Sequence, residues 1–218
     1  MNICVVGNGQ SPLGHGSLID GHDFVIRQNS WWLTHPPPIA GRKINAWCWN
    51  LAGYLLGHTD PGKKDKPIKV KPPKGPYAVW CTWAYGNAKR TARAYALVNK
   101  VLGKRQIVPL NRKLDARLAA NLRRAIGARK KVVPTTGIRA VAGAMAKNPE
   151  LLTLIGFDAT LPKRPGWNDK GNPWKKTWGM HSFVAEKRLL AELVDGKVWL
   201  GKPTQTKVLW YGRPEDIP

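Results

Sequence analysis

The sequence predicts an α/β fold with a mostly parallel central sheet flanked by helices. Three observations carry this. Short β-branched runs alternate with longer stretches of helical periodicity. The runs are apolar almost throughout rather than at every second residue, as in strands covered on both faces. Glycine directly follows the first of them, where a buried strand feeds a tight turn. The 218 residues are read as one domain, 1–218, long enough to enclose a substantial core.

Residues 2–7 (NICVVG) form the first strand, followed by a Gly- and Ser-rich loop, NGQSPLGHGS, and a second strand over 23–27 (DFVIR). INAWCWN at 44–50 and YAVWCTW at 77–83 read as further strands. Between them, PGKKDKPIKVKPPKGP at 61–76 has no periodicity and is expected as an exposed Lys/Pro-rich loop. Over 87–102, Ala88, Ala92, Tyr95, Ala96, Val98 and Leu102 make one apolar helical stripe. Over 111–128, Leu114, Leu118, Leu122 and Ile126 recur every four residues, with Arg112, Arg117, Arg123, Arg124 and Arg129 mostly off the stripe. Strands are expected at 106–109, 131–134 and 151–156, with a helix at 136–147 between the last two. A final helix over about 181–194 leads into a hairpin of VWL and KVLWY. The alternation is Rossmann-like, and no internal repeat interrupts it.

Charge sets the range of partners. Lys and Arg number 36 against 13 Asp and Glu, a net charge of +23 with a pI near 10.4. Such a field attracts polyanions: nucleic acid first, then anionic membranes, acidic glycans and nucleotide-linked donors. Within 86–131 Asp115 is the only acid, so this face would follow a phosphate backbone. Cys4, Cys48 and Cys81 all lie in apolar strand-like runs without a CxxC pair, which suits buried free thiols. The N-terminus lacks a basic segment before a long apolar one, and no run of about 18 apolar residues occurs. A cytoplasmic protein without membrane attachment is expected.

VVGNG after a buried strand offers backbone N–H groups to an anion, although it does not satisfy the dinucleotide pattern GxGxxG. The longer stretch is more specific. CVVGNGQSPLGHGSLIDGHDFVIRQN (4–29) resembles the large sialylmotif of the animal-type (family 29) sialyltransferases. Val5, Val6, Gly7, Asn8, Gly16, Ile19, Asp20, His22, Asp23, Phe24, Val25, Arg27 and Asn29 fall in register, with Gly9 where the family has serine. Gly41 and Lys43 resemble the family's Val-Gly-x-Lys-Thr segment. VVPTTGIRAVAGAMAKNPELLTLIGFD (132–158) resembles the small sialylmotif through Pro134, Thr135, Thr136, Gly137, Gly156 and Phe157. Two hydroxyls and free N–H groups at a helix start suit an anion independently, as they also suit a plain N-cap. HSFVAE (181–186) resembles the very small sialylmotif, His181 and Glu186 being its His and Glu; their i, i+5 spacing is no metal pair.

The chain departs from the family in two places. The family's short His-Tyr-Tyr-acid segment has no counterpart, because RPGWNDKGNPWKK (164–176) holds no histidine; Trp174 and Lys175 occupy that region. The family's disulfide joins a Cys of the large motif to one of the small motif, whereas 132–158 contains no Cys, which suits a reducing compartment.

The resemblance implies a sialyltransferase-like variant of the GT-A fold and a metal-independent, inverting glycosyltransferase without a cofactor. Gly7, Asn8, Gly9, Asn29, Thr135, Thr136 and Gly137 would bind the donor nucleotide, with Arg27, Glu186 and Lys43 in support. His181 would be the base, its imidazole suited by a pKa near operating pH. Trp167, Trp174 and Trp178 lie in a polar Gly/Pro/Lys-rich loop just before His181, where exposed rings would stack on a sugar or an extruded nucleobase. With the charge, this favours a hydroxymethyl-pyrimidine in DNA as acceptor, as in a virus that decorates its own genome. A glycan or lipid acceptor for CMP-sialic acid is the alternative, and a non-catalytic nucleic-acid binder the second alternative.

Overall fold

The computed structural model describes residues 1–9, 11–29, 39–49, 75–81, 106–109, 111–129, 132–157 and 182–213, together with Ala92, Ala96 and Asn99. Strand β1 (Asn2–Val6) is buried from Ile3 onward on both faces, which is why its sequence is apolar without alternation. It pairs in parallel with β2 (Phe24–Gln28) on one side and with β6 (Leu151–Ile155) on the other. Beyond β2 lie β3 (Ala46–Trp49), β4 (Ala78–Cys81) and β5 (Ile107–Pro109), and beyond β6 lies β9 (Lys207–Tyr211). The seven strands run in the order β5-β4-β3-β2-β1-β6-β9, and every neighbouring pair is parallel.

Successive residues of β1 divide between two cores. Ile3 and Val5 join Leu152, Leu154 and the helices α2 (Arg112–Ala125), α3 (Thr136–Met145) and α4 (Phe183–Asp195). Cys4 and Val6 pack with Val25, Ile155 and Ile19, the last from the short α1 (Gly16–Asp20). Helix starts are capped as their sequences require: the side chains of Asn111, Thr135 and Ser182 accept from the backbone N–H groups of Lys113, Ile138 and Ala185. In α2, Asp115 in the first turn and Arg123 and Arg124 in the last complement the helix dipole. Among the described residues no helix is long and apolar enough to cross a membrane.

The α/β class with a parallel sheet is as expected, and three local assignments are corrected. Residues 132–135 form no strand: Pro134 has no N–H to give a ladder, and the Thr135 N–H is spent on Glu186. The KVLWY run does not turn back on VWL. It joins the main sheet beside β6, splitting Val208 and Trp210 from Tyr211 between the two cores, while the hairpin is β7 (Val198–Trp199) against β8 (Lys202–Pro203). The expected glycine-rich loop gives way at its end to a short helix, Gly16–Asp20. Of the 87–102 stripe, Ala92 and Ala96 are helical but exposed, and the rest lies outside the described residues. Cys4 and Cys48 are buried and neither is in a disulfide. The 61–76 loop falls outside the description except for Gly75 and Pro76.

Candidate active site

The chain lays down β1 to β5 toward one edge of the sheet and then returns to place β6 and β9 on the far side of β1. The carboxyl ends of β1 and β6 therefore flank a topological switch point, where open parallel sheets leave a crevice. Two glycines build its floor. The N–H of Gly7 donates to Ile155 O at 2.7 Å and that of Gly9 to Gly156 O at 2.8 Å, so the glycine loop stays zipped to the end of β6. A Cβ on Gly7 would lie 2.2 Å from Gly156 O, and one on Gly156, which has φ +81°, would lie 2.6 Å from Gly7 O. Only two residues without side chains permit that approach. Ser11 closes the loop by accepting the Gly156 N–H at 2.7 Å.

The second wall is the start of α3. Gln28, buried at the end of β2, lies between it and the glycine loop. A Cβ on Gly7 would stand 3.0 Å from Gln28 Nε2, and one on Gly137 would stand 3.1 Å from Gln28 Oε1. Asn29, next along the chain, takes a left-handed backbone conformation (φ 49°), donates its N–H to Cys48 O and accepts Trp47 Nε1–H at 2.8 Å. Among the described residues the enclosed oxygen Asn8 Oδ1 has no hydrogen-bond partner. Gly7, Asn8, Gly9, Asn29, Thr135, Thr136 and Gly137 thus all stand at the carboxyl edge of β1, β2 and β6.

Glu186 binds α4 to this wall. Its carboxylate is 4% exposed and accepts Thr135 N–H at 2.8 Å on one oxygen and Thr135 Oγ–H at 2.7 Å on the other. Thr135 Oγ in turn accepts from Ile138 N. The other first-turn amides of α3, on Thr136 and Gly137, have no hydrogen-bond partner among the described residues. Unpartnered amides at a helix start are the kind of group that can receive an anion. Burial pushes the Glu186 carboxyl up to about 7, against the opposing pull of its two Thr135 bonds and the Arg139 charge. Arg139 is itself held by a bidentate pair to Asp115, at 2.6 and 3.1 Å.

Arg27 and Lys43 bond to the loop after β2 and to His22. Arg27 is fully buried; its Nε donates to Lys43 O at 2.9 Å and its Nη2 to Ala40 O at 2.7 Å, fastening the 40–43 loop to β2. Burial lowers its guanidinium to about 10, against the opposing effects of Cys4 and Asp20. Lys43 Nζ donates to His22 O. Asp20 accepts the Arg42 and Lys43 N–H groups, and Gly41 (φ +74°) is required because a Cβ there would lie 2.5 Å from Asp20 Oδ1. His22 bridges to Thr153 Oγ1 at 2.7 Å. Much of the large motif is therefore a scaffold for β2 and its following loop. His181, Trp167, Trp174 and Trp178 lie outside the described residues, His181 immediately before the Ser182 N-cap. Sequence reasoning missed Gln28 and Ser11; a polar residue ending a buried parallel strand was the signal for the first.

No protein-family model matches the sequence, and no curated protein matches it. Solved structures do. The fold is similar to that of the sialyltransferase CstII from Campylobacter jejuni bound to a substrate analogue, CMP-3FNeuAc, with a TM-score of 0.52 at 16% identity over 96% of this chain and 79% of that one. A CstII variant in complex with CMP gives 0.55 at 15% identity over 97% and 81%. A mammalian sialyltransferase gives 0.54 at 18% identity over 97% of this chain and 68% of that one. The chain has the fold of these sialyltransferases.

Proposed function

We propose that this chain is an inverting glycosyltransferase of the sialyltransferase kind, moving a sugar from a CMP-linked donor to a glycan hydroxyl. The observation that carries the reading is the meeting of the Gly7–Gly9 loop with the Thr135–Gly137 helix start at the switch point of a sialyltransferase-like sheet. The donor phosphate faces the Thr136 and Gly137 amides, and Asn8 and Asn29 hold the nucleotide. His181 takes the proton from the acceptor hydroxyl. The freed oxygen attacks the anomeric carbon from the side opposite the phosphate, that bond breaks, and CMP departs with its electron pair. Glu186, by gripping Thr135, ties the first turn of α4 to the start of α3. No metal is called on in these steps.

A glycan acceptor is preferred to a hydroxymethyl-pyrimidine in DNA. CstII has been solved with a trisaccharide acceptor and CMP, and nothing among the similar structures named above points to DNA. Purified protein is incubated with CMP-, UDP- and GDP-sugars in EDTA, with either a galactose-terminated trisaccharide or hydroxymethylated duplex DNA. Transfer from CMP-sialic acid to the trisaccharide, lost in His181→Ala with donor affinity retained, is the expected result. Sugar on DNA nucleosides would overturn the acceptor, and turnover unaffected by His181→Ala would overturn the base.

A further inference from the structure

Every described carboxylate is already engaged. Asp20 and Asp23 accept backbone N–H groups, Glu186 accepts Thr135, and Asp115, Glu150, Glu192 and Asp195 pair with Arg139, the Met1 amine, Arg124 and Arg213. Several cations find no such partner among the described residues, and α2 gathers three of them. At 100° per residue, Arg112, Lys113, Arg117, Arg123 and Arg124 fall within an arc of about 140°. All five are exposed, and among the described residues Arg112, Lys113 and Arg123 have no ion-pair partner. The only other residues on the arc are Ala116 and Ala120, both exposed. Arg112 and Arg123 stand almost in line, about 16 Å apart along the axis.

We propose that the outer face of α2 is a sequence-independent docking surface for the phosphate backbone of double-stranded nucleic acid. This surface is separate from the sugar-transfer site and does not depend on its chemistry. Arginine outnumbers lysine four to one on the arc, and its planar fork pairs with phosphate oxygens two at a time. The cations lie on a rigid rod whose length matches several successive phosphates of one strand. The alanines let that rod approach the backbone closely. A membrane surface is the poorer match, because the arc carries no aromatic or long aliphatic side chain to enter the headgroup layer.

The test uses the full chain and a fluorescent mixed-sequence duplex of roughly 20 base pairs, with anisotropy followed between about 50 and 200 mM salt. Arg112→Gln/Lys113→Gln/Arg123→Gln is compared with Lys197→Gln/Lys202→Gln/Lys207→Gln, which removes equal charge from exposed residues elsewhere. The wild type should bind. The α2 variant should lose about 2 to 3 from the slope of log affinity against log salt, and the control less than about 1. Single Arg112→Gln and Arg123→Gln variants, each lowering the slope by about 1, carry the test if thermal melting shows the triple variant unfolded. No binding by the wild type, equal slope losses in both triple variants, or stronger competition by anionic phospholipid vesicles than by unlabelled duplex at equal phosphate would overturn the proposal.

Discussion

Replacing Glu186 by Gln should change stability in a way that depends on pH. The native carboxyl titrates at about 7, raised from an ordinary 4.5 because burial disfavours its charge more than the two Thr135 bonds favour it. A raised carboxyl binds its proton more tightly in the folded chain than in the unfolded one. Stability from this group is therefore fully present below about pH 4.5 and is lost as pH rises toward 7. At about 1.4 kcal/mol for each tenfold change in proton affinity, the interval corresponds to about 3 kcal/mol. Glutamine does not titrate. The stability of Glu186→Gln relative to wild type should improve by about 3 kcal/mol between pH 4 and 8, whatever its value at either end. Urea unfolding at several pH values measures this directly. A difference that stays flat across the range would refute the buried, charge-disfavoured environment inferred for Glu186.

Three other substitutions or reactions follow from the same geometry. Gly156→Ala should destabilise the fold by at least about 2 kcal/mol in urea unfolding, because its Cβ meets backbone at 2.6 Å on a residue of positive φ. Arg27→Met should cost about 2 to 4 kcal/mol by stranding the Ala40 and Lys43 carbonyls, with a lowered melting temperature that Arg27→Lys fails to restore. Cys4, wholly buried and with its thiol pushed up to about 12, should resist alkylation at pH 8 in the native protein and react in urea, as read by peptide mass mapping.

The sequence made the strands legible wherever both faces of the sheet are covered. AWCW is apolar end to end and LLTLI is so but for Thr153, and burial on two sides leaves few alternatives for such runs. The KVLWY run was legible as a strand but not in its partner, since a short apolar run says nothing about which neighbour supplies the ladder. Val132 and Val133 suggested a strand by propensity, and Pro134 with the claim of Glu186 on Thr135 overrode it. At the crevice, glycines and hydroxyls contiguous in sequence could be read directly. Gln28 could not, because its place between Gly7 and Gly137 exists only once β2 and α3 have packed. Arg27 and Lys43 were read as supports for the donor site, yet their bonds run to the 40–43 loop and His22. A motif records that a residue matters to the fold and the site together without separating the two.

The contact between Gly7 and Gly156 divides the crevice into parts that can vary and a part that cannot. Each glycine, given a side chain, would strike the backbone of the other first. No compensating truncation elsewhere could make room, so the separation of the two loops is a constant of the architecture. Change in what the crevice accepts must therefore come from the side chains around that fixed gauge, Asn8, Gln28 and Asn29 among the described residues. An effort to retune the donor should leave the paired glycines alone and randomise those positions, with the spacing between the walls serving as a built-in ruler.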